Sequence, residues 1–140
     1  MKLAADANVL LSALIGGQAT RVLRHPAIEE ILTTEVTLAE VQEYAGQLAL
    51  KRRLPVDVVL LAAATLPVTI VPRSVYSSCI AEARKRIGGR DPDDVELLAL
   101  ATQSKIPVWS NDNDFENVGV VWYTTATLLS VLEANALDAK

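Results

Sequence analysis

Three aspartates crowd one short stretch, Asp91-Pro92-Asp93-Asp94; two more stand at Asp112 and Asp114, and Asp6 lies far away near the N-terminus. Carboxylates of this kind repel one another when brought together. A group of them must either keep protons at neutral pH or hold a hard divalent cation. Magnesium or manganese suits all-oxygen ligands, whereas zinc prefers Cys or His, and the chain has one of each, Cys79 and His25. An ion of that type keeps several waters and engages phosphates, which points to phosphoryl or phosphodiester chemistry. Other chemistries lack their parts. No serine triad is visible, and Gly16-Gly17 and Gly88-Gly89 follow helical patterns without the Lys and Ser/Thr of a phosphate-binding loop.

Each acid also has a purely structural use. Asp91 makes a good N-cap, Pro92 suits the first helical position, and acids in a first turn favour the positive end of the helix dipole. Asp6 could cap a helix in the same way. The chemical reading therefore depends on whether the intervening elements bring the three segments together.

Residues 2–6 read as a short strand and 7–15 as a helix stopped by Gly16-Gly17. A second helix covers 20–23 or beyond and breaks at His25-Pro26, and 30–34 is a weak strand candidate. From Thr37 a helix runs through Leu38, Val41, Tyr44, Ala45, Leu48 and Ala49, the spacing of a buried stripe, and carries Glu40 and Glu43. Residues 56–64 give another apolar helix, 67–71 a β-branched strand between prolines, and 76–87 a helix ending at Gly88-Gly89. The acidic turn then opens a strongly apolar helix to Ser104, followed by strands at 106–110 and 118–123. Thr124 or Thr125 caps a last helix through Leu128, Leu129, Leu132 and Leu137. Regular alternation of strand and helix predicts one α/β domain, residues 1–140, with short, mostly parallel strands sandwiched by helices.

In an open parallel sheet, ligands bind outside the carboxyl ends of the strands. Asp6 ends the first strand, Asp112 lies just past the 106–110 strand, and Asp91, Asp93 and Asp94 open a helix whose N-terminus points to the same edge. Three separate segments thus aim carboxylates at one region, and Arg90 is the only cation adjoining any of them.

Composition limits the setting. At 140 residues and 51% hydrophobic, the chain can bury a core without disulfides, and one cysteine cannot form an internal bridge, as expected of a cytoplasmic protein. No apolar run approaches the ~20 residues of a membrane span, and Asp6 and Asn8 interrupt the N-terminal apolar stretch too early for a signal peptide. A net charge of -4 is unlike most nucleic-acid binders. Lys51-Arg52-Arg53 and Arg84-Lys85-Arg86 with Arg90 are nevertheless local basic clusters, and a cation held by the acids makes their region less negative.

Taken in order, Asp6-Ala7-Asn8-Val9-Leu10, Glu40 on its helix, Asp91-Pro92-Asp93-Asp94 before Leu97-Leu98-Ala99-Leu100-Ala101, and Ser110-Asn111-Asp112-Asn113-Asp114-Phe115 resemble the PIN-domain family. These metal-dependent nucleases include the VapC toxins of toxin-antitoxin systems. The resemblance spans nearly the whole chain and implies a three-layer α/β/α sandwich, an RNA substrate, and Mg²⁺ or Mn²⁺ held by Asp6, Glu40, Asp94 and Asp112. Glu43, one turn from Glu40, is the alternative on that helix. Asp91 and Asp114 are implied as alternate ligands or as supports acting through water, and Asn8 and Ser110 as residues that orient the acids. Arg90, Arg84, Lys51, Arg52 and Arg53 are candidates for the RNA backbone; a homodimer and an antitoxin protein are the implied partners.

Two rivals and a bland reading remain. An aspartyl-nucleophile phosphatase could use Asp6, but such sites want a second Asp where this chain has Asn8, and a lysine, for which Lys105 is the only late candidate. A non-catalytic PIN-like module would bind RNA or protein after losing a ligand. In the bland reading every acid is a cap. Elsewhere Cys79 is expected as a small buried residue in a helix, Trp109 and Trp122 as core, Tyr44 as part of a buried stripe, Glu96 on an exposed edge, and His25 at a helix end.

Overall fold

Leu3, Ala4 and Ala5 have no exposed surface, which a strand permits only when both of its faces are covered. They lie in β1, Lys2–Ala5, of a computed structural model that describes residues 1–88 and 91–138. The chain continues through α1 (Ala7–Leu14), α2 (Ala19–Leu23), β2 (Glu30–Thr34), α3 (Glu35–Lys51), α4 (Val56–Ala64) and β3 (Thr69–Val71). Then follow α5 (Arg73–Tyr76), a 3-10 turn at Ser77–Cys79, α6 (Ile80–Ile87), α7 (Pro92–Ser104), β4 (Val108–Trp109), a second 3-10 turn at Asn113–Phe115, β5 (Trp122–Tyr123) and α8 (Thr125–Asp138).

The five strands form one sheet in the order β3-β2-β1-β4-β5, and every neighbouring pair is parallel. Successive side chains of a strand point to opposite faces, so Leu3 and Ala5 join one core while Ala4 joins the other. The same alternation sends Trp109 to the first core and Val108 to the second. The first core packs residues of α1, α3, α4 and α8 against the sheet; the second packs α6 and α7. This is the expected three-layer α/β/α sandwich.

Helix α7 dominates the second core. Leu97, Leu98 and Leu100 are fully buried, each burial contributing roughly 1.5–3 kcal/mol of transfer free energy. Its start follows the sequence signals: Asp91 is the N-cap, its side chain accepting the Asp93 N–H, with Pro92 in the first turn. Helix α3 is capped by Thr34, whose hydroxyl oxygen accepts the Thr37 N–H at 3.0 Å. Both helices therefore begin at the carboxyl edge of the sheet.

Some elements differ from expectation. Strands β4 and β5 are shorter than 106–110 and 118–123, because Pro107 lacks an N–H and Asn117 and Gly119, at φ +59° and +86°, turn the chain away from extended geometry. The expected 76–87 helix starts earlier, after Pro72, and is interrupted by a 3-10 turn where the Ser77 hydroxyl bonds back to the Ser74 carbonyl. Tyr44 is 42% exposed rather than buried, since the stripe of α3 that meets the core is Thr37, Val41, Ala45 and Ala49. Leu137, near the end of α8, is likewise exposed.

Candidate metal centre

The strand order reverses between β1 and β4: β2 and β3 extend to one side of β1, and β4 and β5 to the other. Crevices at such a reversal are where parallel sheets bind ligands. Asp6 directly follows β1, and Ser110 directly follows β4.

One hydroxyl ties them together. Ser110 Oγ donates to Asp6 Oδ2 at 2.7 Å and accepts from Asn8 Nδ2 at 3.1 Å and from the Asp112 backbone N–H at 3.0 Å. A serine has one donor and two lone pairs, so all three are used. Asn8 Nδ2 also reaches Asp6 Oδ2 at 3.2 Å, while Asn8 Oδ1 accepts the Asn111 N–H at 3.1 Å. The other Asp6 oxygen accepts the Ala7 N–H at 2.8 Å and so caps α1. Capping and clustering are thus not alternatives for Asp6: one oxygen serves each. Asp112 follows the same logic, its Oδ1 accepting the Asp114 N–H at 3.0 Å to open the second 3-10 turn.

The acids feel one another. Asp94 is buried at the start of α7, and its pKa is pushed up to about 8 by burial first, then by the charges of Asp6, Asp91, Asp114 and Asp112. Asp6 is raised chiefly by burial, an effect opposed by the hydrogen bonds from Ser110 and Ala7 and reinforced by Asp112 and Asp91. Glu40, in the second turn of α3, rises to about 7 through burial, then a hydrogen bond with Asp93 and the charges of Asp93, Asp91 and Asp6. Four elements therefore contribute carboxylates to one electrostatic group.

Glu40, Asp91 and Asp93 each offer a carboxylate oxygen within 4.8 Å of the others. Asp93 was not among the acids that the sequence pattern singled out as ligands. Its position in the first turn of α7, facing the second turn of α3, is set by the packing of two helices and has no local signal. Glu43, by contrast, is exposed, and Glu40 is the acid of α3 that faces the others. Hard oxygen donors gathered this closely fit a divalent ion of the magnesium or manganese type. Neither Cys79 nor His25 joins the group: Cys79 Sγ lies 3.4 Å from Gln103 Oε1, and His25 Nδ1 accepts the Ala27 N–H at 3.1 Å beyond α2.

The basic candidates are dispersed. Arg84 lines a cleft of about 530 Å³ with Arg73, Asp93 and Glu96, on the flank of the acids. Lys51, Arg52 and Arg53 sit at the far end of α3, roughly 16 Å along the helix from Glu40. Arg90 lies outside the described residues. Lys105 caps the opposite end of α7 from Asp94 in a left-handed conformation, φ +56°. That position leaves the phosphatase reading without its lysine.

Glu96 departs from its expected exposed edge. Its side chain is 13% exposed, forms an ion pair with Arg73, whose Nε lies 3.3 Å from Oε1, and accepts the Tyr76 hydroxyl, also at 3.3 Å. Burial and then the Glu96 charge push Tyr76 up to about 12. Cys79 is also only partly buried, within a 3-10 turn rather than an α-helix. Trp109 is fully buried, as expected of core, with Nε1 donating to Thr125 Oγ1 at 3.0 Å; Trp122 is half-buried and donates to the Ser110 carbonyl at 2.9 Å.

The family model for the PIN domain matches residues 5–133. No curated protein shows significant similarity to the sequence. Among solved structures, PAE2754 from Pyrobaculum aerophilum superposes with a TM-score of 0.69 at 16% identity, over 96% of each chain. A toxin-antitoxin complex from Klebsiella pneumoniae gives 0.65 at 17% identity, over 88% of this chain and 97% of that one. VapC20 of Mycobacterium tuberculosis, a sarcin-ricin-loop-cleaving toxin, gives 0.61 at 17% identity, over 85% of this chain and 96% of its own. At such identities the likeness is one of fold.

Proposed function

Because the chain belongs to the PIN-domain family, a family generally of nucleases, we propose that it is a Mg²⁺- or Mn²⁺-dependent endoribonuclease that hydrolyses RNA phosphodiester bonds, with residues 1–140 acting as one catalytic domain. The observation that carries this reading is the gathering of acids from four elements at the point where the strand order reverses, where Glu40, Asp91 and Asp93 offer oxygens within 4.8 Å of one another and the charges of Asp6 and Asp91 reach both Glu40 and Asp94. Carboxylates that merely capped helices would not share a field.

Asp6, Glu40, Asp94 and Asp112 are the residues that would hold the ion, with Asp91, Asp93 and Asp114 as alternates or supports. A bound Mg²⁺ or Mn²⁺ supplies Lewis acidity, which makes a coordinated water more acidic and offsets charge on a phosphate. The chain's own side chains set up that chemistry. Ser110 and the Ala7 N–H donate to Asp6 and oppose the rise that burial imposes on it, while fixing both of its oxygens. Asn8 fixes both Asp6 and Ser110 in place, a function of supporting hydrogen bonds in metal sites generally. Glu40 and Asp94 must each release a proton before their oxygens coordinate, so metal binding is expected to be tighter at higher pH.

The biological setting proposed is that of a VapC-like cytoplasmic toxin with a cognate antitoxin, acting as a homodimer. Similarity of fold to toxin-antitoxin complexes supports the first part, and the exposed Leu50, Val58 and Leu61 of α3 and α4 supply apolar surface for protein contacts. No described helix is long and apolar enough to cross a membrane. The deciding experiment is calorimetric titration of Mg²⁺ and Mn²⁺ into the wild-type chain and an Asp94→Asn variant, paired with single-stranded RNA cleavage. Metal binding and cleavage that both vanish in the variant support the reading. A wild-type chain that binds no divalent ion even with RNA present refutes it.

A further inference from the structure

The acid group opens sideways into the cleft of about 530 Å³ whose lining includes Asp93 and Glu96 of α7, Arg73 of α5 and Arg84 of α6. Arg73 and Arg84 also line the adjoining hollow, about 540 Å³, together with Ser74 and Ser77. The two hollows meet at a pair of guanidinium groups. On the opposite flank, the hollow lined by Asn8, Asn111, Asp112 and Trp122 holds no cation. Among the described residues that line these hollows, positive charge therefore reaches the acids from one side.

Arg73 is aimed by a part-buried network. Its Nε lies 3.3 Å from Glu96 Oε1, which also accepts the hydroxyl of Tyr76, a residue 1% exposed. The ion pair runs through Nε, so the two terminal nitrogens of this largely exposed side chain keep their donors for another acceptor, and a guanidinium presents such donors as a fork that matches a phosphate. Arg84 makes no ion pair with a described residue, whereas nearby Arg86 is occupied by Glu82. Two arginines and the Ser74 hydroxyl, faced among the described lining residues only by Asp93 and Glu96, suit a polyanion's backbone better than base edges.

We propose that Arg73 and Arg84 form the subsite for an RNA phosphate next to the one cleaved, that Ser74 receives the phosphate beyond it, and that Glu96 and Tyr76 are positioning residues that aim Arg73. The proposal rests on the ribonuclease reading and adds a direction to it: the RNA backbone leaves the acids over α5 and α6, not toward Lys51, Arg52 and Arg53.

The test is fluorescence-anisotropy binding of a short labelled single-stranded RNA to the full chain, with Ca²⁺ replacing Mg²⁺ so that binding is read without turnover, across a salt series. Arg73→Ala and Arg84→Ala are each expected to weaken binding about tenfold and to lower the slope of log affinity against log salt by about one. Glu96→Ala should reproduce the Arg73→Ala loss, the double variant should lose no more than either, and Glu96→Gln, which keeps an acceptor, should recover part of it. A Lys51→Ala, Arg52→Ala, Arg53→Ala triple variant should bind as wild type. Wild-type affinity and salt slope in both arginine variants, in a chain that binds and cleaves RNA, overturn the subsite alone. A wild-type chain that neither binds nor cleaves RNA removes the ribonuclease reading and the subsite with it.

Discussion

Ser110 Oγ stands 2.7 Å from Asp6 Oδ2 and so joins residues 104 positions apart in the chain. The contact closes the gap between the ends of β1 and β4, and the same oxygen accepts the N–H that starts the Asp112 turn. One small side chain thereby sets the spacing of two proposed ligands.

Ser110→Ala removes one donor to Asp6 and one acceptor for Asn8 and Asp112 at a fully buried position. Losing supporting hydrogen bonds in a metal site typically costs 10- to 100-fold in affinity or activity. We expect metal affinity, read by calorimetry, to fall by about that factor, with a stability loss of about 1–2 kcal/mol in urea unfolding. Wild-type metal affinity in this variant would show that the Ser110 contact does not shape the site.

Asp94→Asn should abolish cleavage while raising metal-free stability, because it removes a carboxylate disfavoured first by burial and then by the charges of its neighbours; Asp6→Asn should also abolish cleavage but without that gain, since Asp6 accepts hydrogen bonds from Ala7, Asn8 and Ser110. Relief of ~1 kcal/mol corresponds to a rise in Tm of roughly 3–6 °C for a domain of this size. Thermal unfolding in EDTA reads the first effect and RNA cleavage the second. Unaltered cleavage by both variants would sink the four-acid site.

The pH dependence follows from two raised values. Asp94 at about 8 and Glu40 at about 7 exceed their ordinary 3.8 and 4.5, so across that interval the folded chain holds protons that the unfolded chain has lost. By linkage, the contribution of these groups is most favourable below their unfolded values, declines as pH rises through the interval, and is constant above the folded values. Metal-free Tm should accordingly fall between about pH 5 and pH 8. Added Mg²⁺ should restore it at the upper end and do little at the lower. Asp94→Asn should flatten the decline; a decline equally steep in that variant would mean other groups carry it.

On α3, Glu40 and Glu43 separate cleanly. Glu40→Gln should lower cleavage by at least tenfold, whereas exposed Glu43→Gln should leave it within twofold of wild type, magnitudes of the order set by loss of a ligand against a surface change. Parallel kcat and KM measurements on both variants check this. Equal losses would place both side chains in the site.

Much of this was readable from the chain because local chemistry and tertiary role agree. The helix 56–64 and the strand 30–34 fall where periodicity puts them, and Asp91, Pro92 and the apolar run behind them announce α7. Asp6, Asp94 and Asp112 meet because strand ends in a parallel sheet share an edge. What stayed hidden depends on contacts between helices. Asp93 joins Glu40 only through the packing of α7 beside α3, and Glu96 sinks among Arg73 and Tyr76 because α5 lies across it. Tyr44 satisfied helical spacing yet faces outward, since it lies at the margin of a stripe whose centre is Val41, Ala45 and Ala49. The short β4 and β5 likewise answer to Gly119 and Pro107, residues that end pairing without disturbing the apolar pattern.

The strand order also governs when the acids can act. Strands β1 and β2 come from the first third of the chain, yet their outer neighbours, β4 and β3, arrive only after residue 68 and grip them from either side. A chain divided at the turn after α3 would carry Asp6 and Glu40 in one piece and Asp94 and Asp112 in the other, each piece inert alone. Mixing separately expressed halves should restore metal binding that neither half shows by itself. On the proposed ribonuclease reading, a chain still emerging from a ribosome would be in the same position, with no complete acid group to turn on its own message until synthesis is nearly finished.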